Sequence, residues 1–171
     1  GGIGNRIMEL EKYSLFKGLT TEQISKFNLV IKRKKVEEGV QIIKEGDIGD
    51  SIIFLFSGSV KICKPMTLVT SNSDFDDREK EMISLDSSMY PFFGDYSLFT
   101  DNNKRTASIG STSDVEIGIL MATDFFNICE EDFQLGYTVI KNLTQNITTQ
   151  VVKQSDDILK LTTAISLILE S

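Results

Sequence analysis

The spacing of apolar residues changes twice along the chain. Near its start, apolar residues between Met8 and Phe16 follow a helical period, and Thr20 with Gln23 three residues later predicts a capping box for a short helix through Phe27. From about residue 30, short apolar runs alternate with charged residues and glycines. This pattern is typical of strands of five or six residues separated by turns.

Several segments show the strand pattern clearly. Residues 52–56 form a dense apolar run, and Ser57-Gly58 after it is placed for a tight hairpin into a strand at 60–62. Further strands are predicted near 82–85, at 106–109 and at 115–121, with an exposed polar loop at 70–80. Many short strands with glycine-rich turns indicate an antiparallel sandwich or roll.

The last third of the chain is predicted to be helical. Thr123-Asp124 can cap a short helix through Ile128, and one long helix is expected from about Asp132. An apolar stripe follows this helix, interrupted by Gln150 and Gln154, and consists of Ile140, Leu143, Ile147, Ile158, Leu161, Ile165 and Ile168. The stripe could pack on the protein's own sheet or pair with a second copy. Pairing is favoured, because a helix of this length extends beyond a domain of this size.

Composition excludes several classes of function. The 171 residues include no His and carry a formal net charge of −7. Catalytic pairs that need His, His-carboxylate metal sites and imidazole switches are therefore excluded, and clustered positive charge for nucleic acid or anionic membranes is not expected. Cys63 and Cys129 fit no metal spacing, and no apolar run is long enough to span a membrane. We expect a cytoplasmic protein without a metal site.

Residues 91–108 carry the candidate chemistry. Gly94 and Asp95 open a short helical turn whose backbone N–H groups can point at a phosphate, and Arg105 offers a planar fork for two phosphate oxygens. Small side chains that leave room for a ligand are Ser97, Thr106 and Ala107. Asp95 cannot attract an anion and is interpreted as an acceptor for a sugar hydroxyl. Together these features suggest a nucleotide site, although Arg105 alone could also be a surface residue or pair with Asp101.

This stretch resembles the phosphate-binding cassette of the cyclic-nucleotide-binding domain, a family that includes catabolite activators, protein kinase A regulatory subunits and cyclic-nucleotide-gated channels. The family pattern is Phe-Gly-Glu, a small residue, Leu, and an Arg about ten residues after the Glu. This chain has Phe93-Gly94-Asp95, Ser97-Leu98 and Arg105-Thr106-Ala107-Ser108. Similar family-like segments occur at residues 15–19, 45–51, 55–60 and 113–116.

The resemblance implies a mainly β fold with flanking helices: an antiparallel jelly-roll β-barrel with short N-terminal helices and a long C-terminal helix, holding cAMP or cGMP. By position, Arg105 would pair with the cyclic phosphate, and Gly94 and Asp95 would meet the ribose 2′-hydroxyl. Ser97 and Thr106 would add contacts to the phosphate, while the base would rest on the long helix near Thr148 and Thr149. The implied binding set is completed by Phe93, Tyr96, Leu98 and Ala107.

Two positions depart from the family pattern. Asp95 is one methylene shorter than the usual Glu, which reduces its reach toward a ribose. Residues 87–91, which include Tyr90-Pro91, replace the Gly-Asp turn that usually precedes the cassette. We expect this bulky segment to reshape the mouth of the pocket.

The predicted organisation has three parts. Residues 1–7 are interpreted as a leftover tag or disordered start, residues 8–131 as the jelly roll with its N-terminal helices, and residues 132–171 as a lid or dimerisation helix. The predicted function is a non-catalytic cyclic-nucleotide sensor without a cofactor, with no nucleic-acid or membrane partner, that forms a homodimer through residues 135–169. The alternatives are a degenerate, ligand-free dimerisation module, or the sensory half of a transcription regulator whose helix-turn-helix lies outside this chain.

Overall fold

Two antiparallel four-stranded sheets face each other in the computed structural model, which describes residues 2–65 and 80–171. One sheet has the order β1-β8-β3-β6 and the other β2-β7-β4-β5. The strands are β1 Lys32–Val36, β2 Gln41–Ile43, β3 Ser51–Ser57, β4 Ser59–Pro65, β5 Lys80–Asp86, β6 Phe92–Phe93, β7 Ser108–Ser111 and β8 Val115–Met121. The predicted antiparallel jelly roll is confirmed, although its two sheets do not close into a continuous barrel.

Helices lie at both ends of the described chain. They are α1 Ile3–Leu10, α2 Thr21–Val30, α3 Ala122–Glu131 and α4 Phe133–Glu170, with one-turn 3-10 helices at Ser14–Phe16, Ser87–Met89 and Tyr96–Leu98. The predicted capping box starts α2. The backbone N–H of Gln23 donates to Thr20 Oγ1 at 3.2 Å, and the backbone N–H of Thr20 donates to Gln23 Oε1 at 3.0 Å. Two N–H groups without helical partners are thereby satisfied.

The alternating side chains of β3 divide the interior into two apolar cores. Ile53 and Leu55 face the second sheet, whereas Ile52 and Phe54 face the helices. All four are buried, because β3 lies between β8 and β6 and is covered on both faces. The dense apolar run that predicted a strand at 52–56 reflects this burial on both sides.

Some predicted boundaries change. Residues 3–7, expected to be disordered or left over, form the first part of α1. The strand predicted at 106–109 is β7, Ser108–Ser111. Thr123-Asp124 does not cap α3, because the helix begins before them, at Ala122 directly after β8. The backbone N–H of Ala122 donates to the Asp50 carbonyl at 2.7 Å. Apart from Lys80, which begins β5, the polar loop predicted at 70–80 lies outside the described residues.

The long helix α4 packs on the domain with its first half only. Leu135, Val139 and Leu143 are buried, and the Asn142 side-chain amide donates to the carbonyls of Leu15 (2.8 Å) and Lys17 (2.9 Å). Every residue from 151 to 170 is exposed. Leu143, which the sequence placed in the outer stripe, therefore belongs to the inner face, because it is only 1% exposed. No helix among the described residues is long and apolar enough to cross a membrane.

Candidate ligand-binding site

A cavity of about 300 Å³ opens between residues 92–107, hereafter the cassette, and the inner faces of β2, β4 and β5. Its volume is at the lower end of the range for small-molecule sites. Apolar walls come from Ile43, Ile62, Leu85 and Ile109, and the polar groups come mainly from the cassette and α4. Apolar walls with a few converging polar groups are typical of a site that orients a small ligand.

Arg105 is a buried cation at this cavity, 9% exposed. Its Nη1 donates to the Ser51 carbonyl at 2.8 Å and to Ser97 Oγ at 3.3 Å, and its Nη2 donates to Ser51 Oγ at 3.0 Å. Among the described residues, no carboxylate lies within ion-pair distance of it. Burial lowers the pKa of Arg105, whereas the charge of Asp50 raises it. A guanidinium stays protonated, and the three hydrogen bonds of this one all go to neutral oxygens, so the site favours an anionic ligand.

Gly94 makes room for that guanidinium. Its φ of 92° lies in the left-handed region, where glycine is favoured. A Cβ at this position would collide with Arg105 Nη1 and would lie 2.7 Å from the Ser51 carbonyl oxygen. Ser97 Oγ donates to the Gly94 carbonyl at 2.8 Å, which holds the turn against Arg105. The cassette therefore requires glycine at position 94.

Asp95 is a buried carboxyl at the same cavity, 4% exposed. Its Oδ2 has no hydrogen-bond partner among the described residues. Burial raises the pKa of Asp95, and nearby donors oppose this rise: the backbone N–H groups of Asp95 and Tyr96, the side chain of Asn146, and the charge of Lys64. A buried acceptor without a donor is rare and indicates a group that a ligand can complete.

The sequence model for the cyclic nucleotide-binding domain matches residues 33–132, more than half of the chain. The chain belongs to this family. The match runs from β1 to the end of α3 and contains the whole cassette. No curated protein sequence matches the chain significantly.

Solved structures of cyclic nucleotide-binding domains share the fold. A domain from Methylobacillus flagellatus superposes with a TM-score of 0.72 at 20% identity, covering 93% of this chain and 85% of its own. The Thermus thermophilus catabolite activator protein superposes with a TM-score of 0.68 at 22% identity, covering 88% of this chain and 63% of its own. The cAMP-bound PfPKA-R (residues 141–441) gives a TM-score of 0.60 at 27% identity, covering 74% of this chain and 41% of its own. This chain therefore spans less than two thirds of the latter two structures.

Most residues predicted for the site lie together in this cyclic nucleotide-binding domain. Those that line the cavity are Phe93, Gly94, Asp95, Tyr96, Arg105, Thr106 and Ala107. Ser97 accepts a hydrogen bond from Arg105, and Leu98 packs against the apolar core between β3 and the helices. The cavity is also lined by Met89, Tyr90 and Pro91, from the segment where the sequence departs from the family pattern.

Thr148 and Thr149 do not lie at the cavity, which corrects the predicted helix contact. Both are exposed, whereas Asn146 and Gln150 line the cavity. Residues four apart lie on one face of a helix, and each single step turns the side chain by about 100°. The face that continues from Leu143 to the cavity therefore contains 146 and 150.

Sequence reasoning missed several residues of the site, among them Ser51, Asn146 and Gln150. Ser51 is the last residue of the family-like segment at 45–51. That motif indicated a turn in this region, but it did not indicate the contact of Ser51 with Arg105. Gln150 Oε1 accepts a hydrogen bond from the Tyr96 phenol. Burial, followed by the charge of Asp95, raises the pKa of Tyr96, so the phenol stays protonated and can donate.

Proposed function

We propose that this domain is a non-catalytic sensor of a cyclic mononucleotide, cAMP or cGMP. The observation that supports it best is the pairing of a buried cation without a carboxylate, Arg105, with a buried acceptor without a donor, Asp95, at one cavity. A cyclic nucleotide carries one anionic phosphate next to a free ribose hydroxyl and supplies what both groups lack. The cytoplasm stays the predicted location.

Each part of the nucleotide has a proposed partner. Arg105 would bind the cyclic phosphate, exchanging neutral oxygens of Ser51 and Ser97 for charged ones. Thr106 and Ser97 would add hydroxyl or backbone contacts, and Asp95 with Gly94 would accept the ribose 2′-hydroxyl. The base would meet Asn146 and Gln150, whose amides can both donate and accept. The remaining walls are Phe93, Tyr96 and Ala107.

Calorimetric titration with cAMP and cGMP tests this proposal. Loss of a hydrogen bond to a charged group costs roughly 1.5–3 kcal/mol, so Arg105→Ala should weaken binding by about tenfold or more. Arg105→Lys keeps the charge but loses the planar fork, and we expect an intermediate loss. Lys104→Ala, which removes the exposed neighbouring cation, is the matched control. Binding by Arg105→Ala as tight as that of the parent would overturn the proposal.

We also propose that α4 pairs with the α4 of a second copy. Apart from the residues that pack on the domain, apolar residues recur at alternating steps of four and three along the whole helix: Phe133, Tyr137, Ile140, Ile147, Val151, Ile158, Leu161, Ile165 and Ile168. Thr144 and Gln154 occupy the two remaining positions of this stripe, hereafter the seam. A seam of this spacing is the heptad pattern of a coiled coil.

The seam has apolar side chains at both kinds of coiled-coil core position. Val151, Ile158 and Ile165 occupy a positions, and Ile147, Leu161 and Ile168 occupy d positions. Apolar residues at a and d interlock between paired helices. Ile158 is 65% and Ile168 71% exposed on the single chain, so the seam needs a cover. The proposed homodimer supplies it with a second copy of the same surface.

A ligand-free dimerisation module remains the second candidate, and one observation favours it. The guanidinium of Arg105 already has three hydrogen bonds within the protein and does not depend on an anion for partners. Asp95→Glu separates the two functions, because it restores the family carboxylate and its longer reach. A gain of nucleotide affinity in this variant supports an intact sensor pocket, whereas absence of binding in both parent and variant supports the module.

A further inference from the structure

A lysine faces the cavity from a strand that has a neighbour on each side. β4 lies between β7 and β5, and its side chains alternate between two faces. Lys61 and Cys63 line a different groove, together with residues of β7, whereas Ile62 and Lys64 line the cavity. Lysine rarely turns toward the interior of a sandwich, because its charge is costly to remove from water without a partner. The position of the half-buried Lys64 therefore indicates an anionic partner at the cavity.

The register of the sheet places Lys64 beside the part of the site that contains Arg105. β4 and β7 pair antiparallel, and the last pair of this ladder is Cys63 with Ser108. Continuing the register by one residue places Lys64 across from Ala107, which lines the cavity two residues after Arg105. Neighbouring strands lie about 5 Å apart, and lysine carries its ammonium on a flexible four-carbon stem. An anion held by Arg105 is therefore within reach of Lys64.

The charges at the cavity have a positive surplus. Among the described residues that line it, the charged ones are Lys64, Arg105 and Asp95, which gives 2 − 1 = +1 in a chain of net charge −7. The charge of Lys64 also lowers the pKa of Asp95 against the effect of burial, which is consistent with an ammonium directed into the cavity. One anionic phosphate matches this surplus, because the carboxylate cannot attract an anion.

We infer that Lys64 is a second cation for the nucleotide phosphate, which it meets from β4 while Arg105 meets it from the cassette. The inference rests on the proposed function and adds a residue of the sheet to the proposed binding set. Lysine acts as a point charge, whereas the planar fork of Arg105 sets the orientation of the phosphate. A second phosphate contact also offsets the reach toward the ribose that the shorter Asp95 loses.

Calorimetric titration of Lys64→Met with cAMP and cGMP tests the inference. Methionine keeps an unbranched stem and removes the charge, so both nucleotides should bind about tenfold more weakly. The factor should be the same for the two, because they share the phosphate. It should also persist with 2′-deoxy-cAMP, which lacks the hydroxyl proposed for Asp95. Lys64→Arg keeps the charge and should bind close to the parent, and Lys61→Met, on the other face of the same strand, is the matched control.

Three results would overturn the inference. Parent-like affinity in Lys64→Met would show that no contact is lost, and a loss for only one of cAMP and cGMP would place Lys64 at the base. Disappearance of the effect with 2′-deoxy-cAMP would mean that Lys64 acts only through Asp95.

A further variant separates the phosphate contact from an ion pair within the sheet. Glu81 is the residue across from Lys64 on β5. Glu81→Gln should leave nucleotide binding close to that of the parent, and a loss equal to that of Lys64→Met would refute the phosphate contact. If the parent binds neither cyclic nucleotide, the proposed function fails and the inference fails with it. A parent that binds nucleotide as tightly as Lys64→Met does overturns the inference alone.

Discussion

At the scale of single residues, Arg105 and Asp95 line one cavity, and within the described part of the chain each lacks an interaction that a nucleotide can supply: an anionic partner for Arg105 and a donor for Asp95. Arg105 is charged and surrounded by neutral oxygens, and Asp95 is an acceptor whose Oδ2 lacks a donor among the described residues. Burying such groups costs free energy that the rest of the fold must offset. Sites that tolerate this cost commonly recover it when a ligand completes the missing interactions.

Asp95→Asn should stabilise the ligand-free protein near neutral pH. Burial raises the folded-state pKa of Asp95 above its ordinary value of 3.8, so the folded protein binds a proton more readily than the unfolded chain. Stability contributed by this group is then present below the unfolded pKa and is lost as pH rises through the folded pKa. The amide removes that loss, and each kcal/mol gained should raise Tm by roughly 2–4 °C.

Melting curves of the parent and Asp95→Asn at pH 7 and at pH 4 check this expectation. The variant should melt above the parent at pH 7, and the difference should shrink toward pH 4. Asp101→Asn, an exposed carboxyl of the same region, is the control. An Asp95→Asn variant that is no more stable than the parent at pH 7 would show that Asp95 is satisfied within the protein.

The cassette could be predicted from sequence because its residues are contiguous and follow a recognisable order. Ser51 could not, because it meets Arg105 across 54 residues, and only the fold brings the two together. Asn146 and Gln150 were missed for another reason. The helix was predicted correctly, but its rotation about its own axis was not, and an error of two positions exchanges the inner face for exposed residues such as Thr148.

At the scale of elements, α4 has two faces with different tasks. Leu135, Val139 and Leu143 pack on the domain, while the seam of this 38-residue helix is exposed except at the half-buried Ile147. At 1.5 Å per residue the helix is about 57 Å long, far longer than its contact with the domain. The sequence predicted an apolar stripe but assigned Leu143 to it, although Leu143 belongs to the face that packs on the domain. The two faces could not be distinguished because both contain apolar residues at helical spacing.

Leu161→Asp should dissociate the proposed homodimer. A carboxylate at a d position would be buried without a partner in the coiled coil, so the association should weaken strongly. Thr163→Asp introduces the same charge two residues away, outside the seam, and should leave association unchanged. Sedimentation equilibrium over a range of concentrations measures both. A parent that stays monomeric at high concentration, or a dimer that tolerates Leu161→Asp, would refute pairing through the seam.

Thr20→Ala should destabilise the protein by about 0.5–2 kcal/mol, because it removes the acceptor of the capping box that starts α2. Urea unfolding should show a lower midpoint with an unchanged slope. Thr21→Ala, at the first helical position, lacks the capping role and serves as the control. Equal midpoints for the two variants would mean that the capping box adds nothing to stability.

At the scale of the whole molecule, the site joins parts of the chain that are far apart in sequence. The cassette is held to β3 by the hydrogen bonds of Arg105 with Ser51, and it meets α4 through the hydrogen bond of Tyr96 with Gln150. In the proposed function, a ligand that contacts the cassette would connect the jelly roll to the helix. If two arrangements of the helix differ in ligand affinity, the ligand shifts the population toward the arrangement that binds it more tightly. The family and the fold could be predicted from motifs that are contiguous in sequence. The contact between the cassette and α4 could not, because it joins residues that are far apart in the chain.

The most direct test of the central claim is the melting temperature of the parent protein with cAMP, with cGMP and with non-cyclic AMP. A ligand present at one hundred times its Kd adds about 2.7 kcal/mol, which corresponds to roughly 5–11 °C for a chain of this length. We predict a rise of this size with at least one cyclic nucleotide and none with AMP at the same concentration. No rise with either cyclic nucleotide, at concentrations up to millimolar, would contradict the sensor function.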